Sequence, residues 1–211
     1  MSDPRVWTFL RTTLAALAAF ALFPRTLHAY LDELNDEDVF NAYNIGQRHD
    51  QDLVKFLHEY ETAFGGREVT AHVGRIAVRT PFCTVVEQVF QKGSTYSMFQ
   101  ARLDFVRQAI PFAVIVDVYG QVPNNAAILS DANSGFWKQI AFAVTQKHGI
   151  EPRSRHSWPI YSTSGSYNFI SGGEIRLEYD VSDVASDTIH ITVNGPGSTS
   201  ASTDFDLDKL R

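Results

Sequence analysis

Eight residues near the end of the chain alternate without exception between apolar and charged. Ile175, Leu177, Tyr179 and Val181 stand against Glu174, Arg176, Glu178 and Asp180. A period of two puts each set on one side of a pleated strand, so Glu174–Val181 reads as a strand with one buried and one wet face. Thr188 to Val193 repeats the pattern with Ile189, Ile191 and Val193. Half-wet strands at short spacing point to antiparallel sheet in a sandwich-like unit. Pro111 to Tyr119 (PFAVIVDVY) is instead almost continuously apolar, as in a buried central strand. Phe136 to Thr145 reads as a further strand, with Phe136, Ile140, Phe142 and Val144 on one face and Trp137, Gln139, Ala141 and Ala143 on the other. Asn194-Gly195-Pro196-Gly197 is a turn, and Phe205 and Leu207 mark a last short strand.

The first half has a longer period. Asn35 is placed to cap a helix that opens with Asp36-Glu37-Asp38, three acids where a helix N-terminus favours negative charge. Asp50 is placed to cap a second, in which Leu53, Val54, Phe56, Leu57, Tyr60 and Phe64 recur at spacings of three and four until Gly65-Gly66. The pair is expected to form an αα-hairpin. Val69, Ala71, Val73, Ile76 and Val78 suit a strand with a bulge near Gly74. Thr80-Pro81 has the form of a helix cap with a first-turn proline. Phe82–Phe90 is ambiguous between helix and strand, and Ser94 or Ser97 is placed to start another helix. The expected fold class is α+β: an N-terminal helical hairpin over 35–64, a mixed segment over 69–110, and a mainly antiparallel, sandwich-like half over 111–207. All of it falls in a single domain spanning 30–211.

The N-terminus sets the expected compartment. A head with Arg5 and Arg11 precedes ten apolar residues, Leu14 to Phe23; Pro24 and then Leu27-His28-Ala29 follow. That is the order of a secretory signal peptide over 1–29, cut after Ala29. Ten residues are short of the roughly 20 that span a bilayer. The rival is an uncleaved anchor over Val6–Phe23 with Arg11 snorkelling. Of the 18 basic and 24 acidic residues, residues 1–29 hold Arg5, Arg11, Arg25 and Asp3, so the remainder carries 15 and 23, a formal charge of −8. An acidic surface repels phosphate backbones, which argues against a nucleic-acid partner. Membrane contact is expected only if the N-terminal segment is retained. The lone Cys83 forbids an intramolecular disulfide, and its usual fate is burial as a small apolar residue.

Signatures of catalysis are missing from the sequence. The histidines of the mature part are His49, His58, His72, His148, His156 and His190, and none forms a His-x-x-x-His or His-Glu-x-x-His pair. There is no Gly-x-Ser-x-Gly, no Gly-x-x-x-x-Gly-Lys-Ser/Thr and no Gly-x-Gly-x-x-Gly. Asp131-x-Asn133-x-Gly135 begins like a calcium loop, but Phe142 occupies the twelfth position, where an acid is needed. Asp204, Asp206 and Asp208 read as the wet side of an edge strand. No cofactor is implied.

Two long segments lack periodicity, 120–135 and 147–173, and both read as loops. The second gathers Arg153, Arg155, His156, Trp158, Tyr161, Tyr167 and Phe169. Guanidinium groups beside aromatics suit an anionic group or a sugar ring. Pro159 stiffens the span between Trp158 and Tyr161. Arg153, Arg155, His156, Trp158 and Tyr161 are the candidate ligand-binding residues; no catalytic or metal residue is assigned. The expected function is that of an exported, soluble, non-enzymatic protein of the bacterial envelope, periplasmic or extracellular, which binds a small ligand or an envelope protein. The alternatives are a hydrolytic enzyme with a site dispersed in sequence around His156, and an envelope scaffold or assembly factor using the helical hairpin.

Overall fold

The computed structural model describes residues 33–65, 71–120, 135–164, 167–195 and 200–211. The signal-peptide reading, the turn at Pro196-Gly197 and most of the 120–135 segment lie outside the described residues. No helix among the described residues is long and apolar enough to cross a membrane.

Helix α1 (Asp36–Gly46) starts where the sequence places its cap. Asn35 Oδ1 accepts from the N–H groups of Glu37 and Asp38 at 2.8 and 3.1 Å, and the Asp38 carboxylate accepts from Asn35 N–H at 3.0 Å. This reciprocal box satisfies N–H groups that a helix start leaves orphaned. Asp50 caps α2 (Gln51–His58) in the same way. The second helix is shorter than its apolar stripe predicts. It ends at His58, and Glu61–Ala63 forms strand β1. Tyr60 and Phe64 leave the helix because sheet pairing offers better partners: Tyr60 C=O accepts from Val78 N–H at 2.9 Å, and Phe64 N–H donates to Gly74 C=O at 2.8 Å.

Strand β2 (His72–Arg79) carries the expected irregularity at Gly74, between Val73 and Arg75. Any side chain at Gly74 would collide with the Tyr119 ring, so the bulge needs glycine. The ambiguous segment is helix α3 (Pro81–Lys92), with Pro81 in its first turn and Thr80 Oγ1 accepting from Cys83 N–H at 3.2 Å. Ser97 caps α4 (Met98–Phe105). The strands β3 (Phe112–Tyr119), β4 (Ala141–Thr145), β5 (Ser154–Ser164), β6 (Tyr167–Tyr179), β7 (Thr188–Asn194) and β8 (Ser200–Asp206) follow.

All strand pairing among the described residues is antiparallel. One sheet has the order β1-β2-β3-β6-β5 and the other β4-β7-β8. Their facing sides form the main core, where Ile76, Val116 and Ile175 of the larger sheet share one cluster with Ile189, Ile191 and Val193 of the smaller. A second cluster, built on Val39, Leu53, Phe82, Val86 and Phe105, joins the helices. The fold is therefore α+β, with N-terminal helices preceding a sheet-rich half.

Three further sequence expectations need correction. Phe136–Thr145 is not one strand: Phe136–Gln139 is a 3-10 turn, and only Ala141–Thr145 pairs. Trp137, placed by parity opposite Ile140, is buried with it in the main core. A side chain at Gly173 would collide with the indole, so the glycine of β6 makes room for it. The strand read over Glu174–Val181 ends at Tyr179, and Val181 lies in a 3-10 turn. Finally, 147–173 is no loop: most of it is the β5–β6 hairpin.

Candidate functional site

The larger sheet has two faces of opposite character. On β3, Phe112, Val114, Val116 and Val118 point to the core, so Ala113, Ile115, Asp117 and Tyr119 point outward. Strand register carries this outward set across the whole sheet. One row reads Ala63, Arg75, Asp117, Glu174, Trp158; the next reads Glu61, Ala77, Ile115, Arg176, His156. Residues directly opposite on neighbouring strands are close enough to interact. Arg75 makes use of this, with Nε donating to Asp117 at 2.8 Å and Nη1 to Glu61 at 3.1 Å. Burial raises the Glu174 carboxyl above its usual range, and the negative charge of Asp117 adds to the effect. Glu178 is the reverse case. Burial pushes it up, but hydrogen bonds from Ser154 and Arg176 and the charges of Arg176 and Arg153 outweigh this and hold it below the usual range.

The residues singled out from the sequence do not all meet. His156 and Trp158 stand two apart on β5 and stack on the outward face, with ring centroids 5.9 Å apart and planes 24° apart. Trp158 and Tyr161 are 47% and 63% exposed, which leaves a ligand free access to both. Tyr161, past the register shift that follows Ile160, stands opposite the core residue Ile170 and so belongs to the other face of the sheet, where it is nonetheless exposed; Phe169 on β6 is also exposed. Arg153 is spent on internal pairing, at 2.8 Å from Asp180 and 3.9 Å from Glu178. Arg155 has the opposite parity to His156. Its guanidinium sits 5.0 Å from the Phe142 ring centroid and donates to the carbonyls of Trp137 and Lys138, tying β5 to the start of the smaller sheet. Burial lowers its pKa. Both arginines are exposed, and each is already engaged by groups of the chain itself. What remains on the outward face is an aromatic strip on a strand that ends its sheet.

At the other edge of the sheet a groove of about 420 Å³ opens between its outward face and the helices. Leu53, Val54 and Leu57 of α2 supply an apolar wall, and Phe90 of α3 extends it. Glu61, Arg75, Arg79 and Glu87 supply the charged wall. Arg79 pairs with Glu87 at 2.6 Å and donates to Val78 C=O at 2.9 Å, yet its buried Nε has no partner among the described residues. At the rim, His58 Nδ1 lies 3.0 Å from Glu61, and His49 rests 5.4 Å from the Phe90 ring. The sequence reading missed this groove. The apolar wall belongs to the α2 stripe, and parity alone puts Arg75 and Arg79 on one side of β2. The contributing segments all fall within residues 49–90, but only the packing of α2 and α3 against the sheet brings them together.

Other groups singled out earlier have local partners. Cys83 is buried, and burial pushes its thiol well above the ordinary thiol range. His190 on the smaller sheet pairs with Asp204 of β8 and contacts Thr192 at 3.1 Å. Among the described residues, no three His, Cys, Asp or Glu side chains gather to hold a metal ion. Comparison with protein-family models, with curated proteins and with solved structures finds no match to this chain.

Proposed function

We propose that the chain is an exported, non-enzymatic binding protein of the bacterial envelope that receives its ligand or partner on the outward face of the larger sheet. The observation that carries this reading is the exposed His156–Trp158 stack on β5, which is the last strand of its sheet. Exposed aromatics lose little conformational freedom on binding, because each has only two side-chain torsions. An edge strand also presents main-chain donors and acceptors that no neighbour uses. Pro159 removes one of those donors, which limits indiscriminate strand pairing without blocking the aromatic strip. Export is supported by the order of charged head, apolar run and Leu27-His28-Ala29. Binding of nucleic acid is disfavoured by the acidic balance of the chain.

A paired experiment tests this reading. Wild-type protein and the His156→Ala/Trp158→Ala variant are immobilised, exposed to envelope extract, and the retained small molecules and proteins identified. A component held by wild type and lost from the variant supports the proposal; equal retention opposes it. A hydrolase screen with and without divalent metals runs alongside. Turnover that disappears in His156→Ala would replace a binder with an enzyme.

A further inference from the structure

Between His156 and Glu174 the chain has no Asp, Glu, Lys, Arg or His. The run Ser157–Gly173 (SWPIYSTSGSYNFISGG) is the longest of that kind in a sequence that is 20% charged. It belongs to the β5–β6 hairpin, whose far part leaves the rest of the sheet behind. β3 pairs with β6 as far as Gly172, and Gly120 N–H donates to Ser171 C=O at 3.1 Å. Among the described residues, Tyr167–Ile170 pairs with β5 alone. Tyr161 stands opposite the core residue Ile170, and Phe169 is the neighbour of Ile170 on β6, so the two rings belong to opposite faces of the ribbon. Both are exposed.

Aromatics on both faces of a ribbon cannot be covered by one flat partner surface. The occupant has to surround the hairpin, and the water–lipid boundary of a bilayer does so. The residue types suit that boundary. Tyrosine is enriched there, where its ring is sheltered and its hydroxyl stays wet. The intervening Ser162, Thr163 and Asn168 are uncharged, so entry desolvates no ion. The four ladder pairs from Tyr161–Ile170 to Ser164–Tyr167 extend about 13 Å, enough to pass a headgroup layer roughly 6 Å deep. Headgroups and their water can also bond the outer main-chain edges of the ribbon, which hydrocarbon cannot. Charge selects the lipid. The chain after residue 29 carries −8, so an anionic surface repels it, whereas the charge-free hairpin meets a zwitterionic one without that cost. We propose that the part of the hairpin carrying Tyr161 and Phe169 enters the interfacial layer of a zwitterionic bilayer. This contact needs no N-terminal anchor and makes no use of the His156–Trp158 stack.

Fluorescence from a label on the hairpin tests this. Thr163 is exposed and Cys83 is buried, so Thr163→Cys supplies one accessible thiol for an environment-sensitive nitrobenzoxadiazole dye. Mixing the purified protein with phosphatidylcholine vesicles is expected to brighten the emission and shift it to the blue. The same dye at Lys55→Cys, on α2 beside β1 at the opposite edge of the sheet, is expected to stay silent. Adding phosphatidylglycerol to the vesicles should weaken the response at low salt. In the labelled protein, Tyr161→Ser/Phe169→Ser should require at least about tenfold more lipid for the same response. Both substitutions fall at exposed positions, so the fold is kept. His156→Ala should respond as wild type, which separates this contact from the proposed binding strip. Silence at position 163, an equal response at position 55, an undiminished response in the double variant, a response only with anionic lipid, or loss in His156→Ala would each overturn the inference. A blue shift from lipid-free envelope protein, with vesicles silent, would also overturn it and assign the hairpin to a protein cleft.

Discussion

The two faces of the five-stranded sheet are made by the same strands, and they behave as different materials. Toward the smaller sheet, Ile76, Val78, Val114, Val116, Ile175 and Leu177 are essentially sealed from water. On the outward side of the same strands, Arg75, Arg79, Asp117, Glu174 and Arg176 carry charge, and Trp158 and His156 end the rows as exposed aromatics. The inner face follows the rule that apolar area leaves water. The outer face does not become a plain solvated surface. Arg79 and Asp117 are buried there, each with one polar atom that has no partner among the described residues. Stability alone gives no reason to bury such atoms. The contrast teaches where to look for function: on the side of the sheet that bears a cost in stability.

The sharpest way to break this comparison is to show that the faces respond alike. Leu177→Ala on the inner face should destabilise by about 2–5 kcal/mol in denaturant unfolding, because it removes a sealed side chain and leaves a cavity. On the outer face, Arg79→Ala should cost about 3 kcal/mol by stranding Glu87, toward the low end for a broken buried pair since Glu87 is partly exposed. The double variant Arg79→Met/Glu87→Leu should recover most of that loss. If it does not, the pair is worth more than its apolar replacement, and this part of the outer face bears no cost in stability.

Glu174 gives a smaller effect with a definite sign. Its carboxyl titrates above its ordinary value of 4.5 in the folded chain, so folding holds its proton more tightly than the unfolded state does. The stability it contributes is full below that ordinary value and is lost as pH rises through the raised one. Glu174→Gln should therefore stabilise the protein near neutral pH and make no difference near pH 4, as read from unfolding midpoints across that range. A variant that loses stability at neutral pH would contradict the assignment. The smallest effect on stability is expected at the end of the row: Trp158→Ala should change it by no more than about 0.5 kcal/mol, as for an exposed site outside the core.

Much of the inner face was legible in the sequence, and the physics explains why. Period-two alternation over Ile175, Leu177 and Tyr179, the run PFAVIVDVY, and the caps at Asn35, Asp50, Thr80 and Ser97 all act locally, and each has its counterpart in the fold. β5 was not legible. An edge strand has one neighbour, so Ser154-Arg155-His156-Ser157 need not alternate in polarity, and without alternation it reads as loop. β1 was masked by helical spacing: Tyr60 sits at the right interval from Phe56 to continue α2, but its hydroxyl bonds the main chain of Arg211, 151 residues away. The groove was hidden although its lining falls within residues 49–90. Its charged wall joins Glu61, Arg75, Arg79 and Glu87, and only strand register together with the packing of α3 brings them together. Arg155 was assigned to a ligand on side-chain chemistry alone, whereas strand parity sends it to the carbonyls of Trp137 and Lys138.

Site-specific photo-crosslinking in the producing cell tests the central claim most directly. A photo-reactive phenylalanine replaces His156 or Trp158 on the outward strip, or Asp204 on the exposed edge of the smaller sheet, in otherwise unaltered protein. Binding on the outward face predicts a discrete adduct from positions 156 and 158 and none from position 204. Adducts from position 204 alone, equal labelling from all three, or no adduct from any would contradict it.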